Sequence, residues 1–140
     1  MSAITRSFGA DVLNKIFLAS GSIKHDNFYL ALYTQSPTKS GGGTEVSGGG
    51  YERVRVQCSS TEWLVTETDA VSTTNRNAVE FPVPTSDWGT VTHFGLHTQS
   101  SGDSLAFFGE LVSPVTITGG DGAPKFNTGT IDIRLEDPHA

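Results

Sequence analysis

Two runs, TVTHFGLHT from Thr90 to Thr98 and SLAFFGELV from Ser104 to Val112, flank the five residues QSSGD. Both runs are rich in β-branched and aromatic side chains, which suit a pleated, half-buried surface. Five polar residues that include Gly102 are enough to reverse the chain, so the segment predicts a β-hairpin. That commits the middle of the sequence to antiparallel β-structure.

The rest of the chain extends the pattern. In FYLALY, Phe28, Leu30 and Leu32 alternate with Tyr29, Ala31 and Tyr33, which is strand periodicity. YERVRVQ places Val54 and Val56 inward, with Tyr51, Arg53 and Arg55 outward. TEWLVTE reads as a short strand. NAVEFPV sets Val79, Phe81 and Val83 on one face, and Pro82, lacking an N–H, marks an edge or strand end. PVTIT and GTIDIRLED follow, separated by the turn GGDGAP. Only GADVLNKIFLASG shows helical period, with Val12, Leu13, Ile16 and Phe17 on one stripe. Asp11 lies near its start, and Gly21 is placed to close it. This stripe either plugs the sheet or docks on a neighbouring subunit. The fold expected is all-β: a jelly-roll-like β-sandwich of about eight strands with one N-terminal amphipathic helix. One domain is expected over 1–140, with a helix at 8–21, the sandwich at 28–135 and a tail at 136–140. No period of several tens of residues repeats, which excludes a solenoid.

Charge narrows the partners. Nine Lys and Arg against fifteen Asp and Glu give a formal charge of −6. The cations do not cluster, so nucleic acid and anionic lipid are excluded as partners. Cys58 is the only cysteine, so no internal disulfide forms and stability comes from packing. No apolar run reaches membrane-spanning length, and the N-terminus lacks the apolar core of a secretory signal.

The motifs argue against chemistry. SGGGTEVSGGG, from Ser40 to Gly50, holds two triple-glycine runs. A phosphate-binding loop needs a Lys after its glycines and then a helix. Here a strand pattern follows, and Glu45 inside the loop repels phosphate. The segment reads as a long mobile connection. His93 and His97 are four apart; on a strand that is about 13 Å at roughly 3.3 Å per residue, too far to share a metal bonded at about 2 Å. Both are expected as half-buried histidines bonded to backbone. No G-x-S-x-G elbow appears, and Cys58 reads as a small half-buried hydrophobe. Glu62, Glu67, Asp69, Glu80 and Asp87 are scattered, and Asp121 belongs to a turn without the companion carboxylates of a calcium loop. Trp63 and Trp88 serve either as core packing or as interface anchors. No catalytic residue, metal or cofactor is assigned.

LALYTQSPT, GTEVSGGGYER, FPVPTSDWGTVTHFGL, LAFFGEL and IDIRL occur in that order from about Phe28 to Leu135. Together they resemble a family of small proteins encoded among the virion genes of tailed bacteriophages and prophages. The chain departs from the pattern in its EDPHA tail and in TSDWG. The resemblance implies a non-enzymatic virion structural protein, assembled in the host cytoplasm. A capsid decoration, or cement, protein is the expected role, as a homo-oligomer, expected to be a trimer, with the major capsid protein or tail components as partners. The alternative is a tail or head fibre protein with a host-receptor-binding role. The contact candidates are Val12, Ile16 and Phe17 on the helix, Thr44, Glu45 and Val46 in the glycine-rich loop, and the aromatics Tyr51 and Trp88. Deletion of Gly41–Gly50 is expected to spare the fold and weaken attachment.

Overall fold

The computed structural model describes residues 2–18, 25–67 and 71–135. Its elements are β1 (Ser2–Ile4), α1 (Arg6–Phe17), β2 (Asn27–Gln35), β3 (Thr44–Glu45), β4 (Val54–Gln57), β5 (Trp63–Thr66), β6 (Val71–Asn75), β7 (Val79–Glu80), β8 (Gly89–His97), β9 (Leu105–Ile117), β10 (Lys125–Phe126) and β11 (Asp132–Leu135). The main sheet runs β1-β9-β8-β2-β3, with β4 also paired to β2, and every ladder in it is antiparallel. Beta-2 divides its outer edge: Asn27–Leu30 pair with β4, and Tyr33 and Gln35 pair with β3. A three-stranded sheet, β11-β6-β5, and a two-stranded ladder, β10-β7, form the second layer. This is the all-β sandwich with an N-terminal helix that the alternation implies. Beta-1, β3 and β10 are two or three residues long, too short to leave a period-two signature.

The core lies between the layers. Leu30 and Leu32 of β2, Phe94 and Leu96 of β8, Val56, Phe81, Trp88, Ile131 and Ile133 form one buried cluster. Cross-strand register sets Leu30 beside Leu96 and Leu32 beside Phe94, which aligns four large side chains on one face. The other face of β2 is covered too, since Ala31 and Tyr33 are buried. Gly95 permits this. A Cβ there would lie 2.8 Å from the Tyr33 ring and 2.7 Å from Leu105, so the bare backbone makes room for Tyr33 across the strand.

The predicted hairpin is β8–β9, closed by Thr98 N–H donating to the Ser104 carbonyl at 3.0 Å. Beta-9 absorbs both SLAFFGELV and PVTIT, read from sequence as separate strands. The join is irregular: pairing jumps from Val91–Val115 to His93–Glu110. Val112 to Pro114 bulge outward, and Val112 is fully exposed. A bulge is where a strand tolerates a proline, which cannot donate to the ladder.

Three local readings need correction. NAVEFPV forms a strand only at Val79–Glu80; Pro82 ends it, and Val83 faces solvent. Tyr51 and Arg53 precede β4 rather than alternating within it, and neither points away from the protein. Alpha-1 starts at Arg6, two residues early, because Thr5 caps it with a side-chain oxygen accepting from Phe8 N–H. Asp11 therefore falls outside the first turn, which has no acidic residue. Gly21 and the 136–140 tail lie outside the described residues.

Candidate functional site

The glycine-rich segment is a built loop. Glu45 and Thr44 pair with β2, and Val46, buried, donates its N–H to the Leu32 carbonyl at 2.9 Å. Gly49 accepts from the Trp88 indole N–H at 2.9 Å and from Thr85 N–H at 2.9 Å. It does so at φ +60°, and a Cβ there would strike Ser86 Oγ at 2.6 Å, so glycine is required twice over. The mobile connection read from composition is corrected accordingly. Its glycines allow left-handed backbone in a folded segment.

That loop brings Glu45 to Arg53. The guanidinium donates through Nε and Nη2 to the two carboxylate oxygens at 2.9 and 2.8 Å. Arg53 also donates to the carbonyls of Gln99 and Gly102 in the β8–β9 turn, and its side chain is only 7% exposed. Tyr51 Oη donates to Glu45 Oε2 at 2.7 Å and accepts from Leu32 N–H at 3.0 Å. Burial pushes the Glu45 carboxyl up, but the hydrogen bonds from Arg53 and Tyr51 outweigh it and hold the pKa below the usual carboxylate value. Burial also acts against the Arg53 charge, and Glu45 more than compensates. Tyr51 is raised, first by burial and then by its bond to Glu45.

Beside this clamp, His97 is buried with both nitrogens engaged. Nε2 lies 2.7 Å from Tyr33 Oη and Nδ1 3.2 Å from Ser104 Oγ. Burial, reinforced by the Arg53 charge, lowers its pKa to about 4. Burial, with the nearby Glu45 charge, raises the Tyr33 phenol to about 12. The expected backbone partners of the histidine are instead side chains. His93 stands apart, with Nδ1 on Thr92 Oγ1 at 2.8 Å and Nε2 3.8 Å from Glu110. Ser104 beside His97 is a poor catalytic pair: a base with pKa about 4 takes up a serine proton weakly, and the other nitrogen meets a phenol rather than an orienting carboxylate. Among the described residues no three metal-ligating side chains gather, and no helix is long and apolar enough to cross a membrane. What the cluster does well is tie the glycine-rich loop, β2 and the β8–β9 turn together. A hollow of about 390 Å³ remains over Tyr33, Glu45, Arg53, His97 and Asp103.

The candidate contact residues separate into two groups. Trp88 is buried against Tyr51 and Phe81, so it packs the core and presents no anchor. Val46 is core, Glu45 and Tyr51 are internal partners of Arg53 and Leu32, and Thr44 is exposed on β3. The helix is different. None of its residues is buried; Leu13, Ile16, Phe17 and the adjoining Leu18 are 57%, 56%, 78% and 70% exposed, and Val12 is half-buried. Phe8 seats it through edge contacts with Phe28 and Phe107, and Arg6 ties its start to Lys39 and Ser40. Sequence reasoning missed the concave counterpart. A groove of about 580 Å³ opens between the layers, lined by Phe28, Cys58, Trp63, Val65, Phe107 and Ile133 among others. Its residues come from six separate strands and the turns after β4 and β6, so no local motif announces it.

The fold is a β-sandwich whose buried polar side chains largely pair with one another and whose helix exposes apolar side chains. A family model described as Podophage GP4 fiber I protein gp80 matches residues 3–134, and the chain belongs to that family. No curated protein matches the chain. Family membership makes this a phage fibre protein and so a virion component. It favours the fibre alternative over capsid decoration.

Proposed function

We propose that this chain is a non-enzymatic fibre component of a podophage particle, assembled in the host cytoplasm, that takes part in host attachment. The family match across residues 3–134 carries this reading. The Glu45–Arg53–Tyr51 clamp supports it, because it ties the glycine-rich loop to β2 and the β8–β9 turn and stiffens a scaffold. The partners are other virion proteins and further copies of the chain.

The test is a phage lacking this protein, complemented with the wild-type chain. A fibre component predicts intact, DNA-filled heads that adsorb poorly to the host, with adsorption restored by complementation. Its copies number a handful per particle. Heads that rupture, with adsorption normal until they do, and hundreds of copies per particle would instead establish a decoration protein.

A further inference from the structure

We propose that the turn between β8 and β9 is an acid-released latch, held closed by neutral His97 and set free when that imidazole takes a proton. Residues Gln99 to Asp103 are all exposed and none is apolar, so burial of apolar surface does not hold the turn. Hydrogen bonds fasten it. Arg53 donates through Nη1 to the Gln99 carbonyl at 3.1 Å and through Nη2 to the Gly102 carbonyl at 2.9 Å. Thr98 N–H donates to the Ser104 carbonyl at 3.0 Å, and Ser104 Oγ lies 3.2 Å from His97 Nδ1. The two groups that stand behind the turn are themselves buried: His97 is 2% exposed, and the Arg53 side chain 7%.

The hydrogen-bond chain leaves no place for a second proton. The Tyr33 phenol, raised to about 12, keeps its hydrogen and donates it to His97 Nε2 at 2.7 Å. That sets the neutral tautomer: Nδ1 carries the hydrogen and donates to Ser104 Oγ. A further proton has to sit on Nε2, where it meets a phenol that is itself a donor. Tyr33 must then turn its hydrogen away, and a buried cation arises beside the Arg53 guanidinium. The groups facing the ring are Tyr29 and Tyr33 of β2, Glu45 of β3, Arg53 and, on the turn itself, Asp103; Leu105, opposite on β9, carries no charge. Glu45 and Asp103 favour the charged ring. Glu45, however, is already bonded to Arg53 and Tyr51, and Asp103 is exposed, so burial and Arg53 prevail. The least disruptive relief is local. Release of the turn lets water reach Nδ1, and no residue from Thr98 to Ser104 belongs to the core cluster.

This goes beyond the fibre reading and is tested on the purified chain by amide hydrogen exchange. With the ring at about 4 when the turn is closed and at the ordinary 6.5 when it is open, the opening constant rises about twentyfold from pH 7 to pH 5. At pH 7 the Thr98 amide is expected to be less protected than the amides of the β2–β8 ladder, as a locally opening segment is. Its protection, corrected for the intrinsic exchange rate, is expected to fall about twentyfold by pH 5. His93→Gln should keep that fall, and His97→Gln should abolish it. Should His97→Gln fail to fold, Ser104→Ala decides: it is expected to lower Thr98 protection at pH 7 and to leave the ladder unchanged. Thr98 protection that is flat between pH 7 and pH 5, or equal to that of the ladder, overturns the inference. So does a fall that survives His97→Gln, or a Ser104→Ala loss shared equally by turn and ladder. Phage adsorption has no bearing on it.

Discussion

A buried imidazole with both nitrogens engaged stays neutral in the fold and titrates freely once the chain unfolds. His97 has a folded pKa of about 4 against the ordinary 6.5. Between those values the unfolded chain binds more protons, so stability falls as the pH falls. The contribution is complete above pH 6.5 and has gone by pH 4, on the order of 3 kcal/mol. Glu45, also depressed, adds a separate loss at lower pH. Urea denaturation from pH 7 to pH 4 should show this slope, and His97→Gln should flatten it while lowering stability at pH 7. Glu45→Ala strands a guanidinium whose side chain is 7% exposed; breaking such a pair costs about 3 kcal/mol or more, readable as a drop in the urea midpoint. Gly95→Ala drives a methyl into Tyr33 and Leu105, costing about 1–3 kcal/mol. Of these residues the sequence showed the histidine and the glycine in a strand. The partnership of Arg53 with Glu45 was hidden, since alternation assigned Arg53 to solvent and no periodicity describes a loop folding back on a strand end.

At the scale of elements, the glycine-rich loop, expected as a mobile connection, is folded into the body, and α1 exposes its apolar stripe. Deleting Gly41–Gly50 removes Val46 from the core, Glu45 from Arg53 and the Gly49 carbonyl from Trp88. The deletion should therefore melt well below the wild type or fail to fold, contrary to the expectation from composition. Thermal denaturation decides. In the helix, Phe8→Ala should cost about 2 kcal/mol, since it unseats the element from Phe28 and Phe107. Phe17→Ser should change monomer stability by no more than about 0.5 kcal/mol. Equal losses at the two positions would mean that the stripe is packed within the chain. The helix itself was legible from its 3.6 period, but not whether its stripe is covered. Amphipathicity shows that a face needs burial, and only the packed sheets show that, among the described residues, the stripe stays exposed.

For the whole molecule, the acidic, cation-poor composition argued against nucleic acid, and the family match makes it a member of a phage fibre protein family. Particles that lack the chain should keep their heads and lose adsorption, measured by free phage remaining after mixing with host cells. The sequence by itself determined the β-class, the central hairpin, the one helix and the virion resemblance. Each of these is written in local periodicity or in an ordered series of short motifs. The tertiary structure alone decided which edges pair, that β9 runs continuously through its bulge, that Trp88 and Val46 lie inside, and that a groove stands open between the layers. Those outcomes depend on contacts between residues tens of positions apart. They are set by which burial satisfies the most apolar surface and the most hydrogen bonds at once, a competition that no single segment of the chain records.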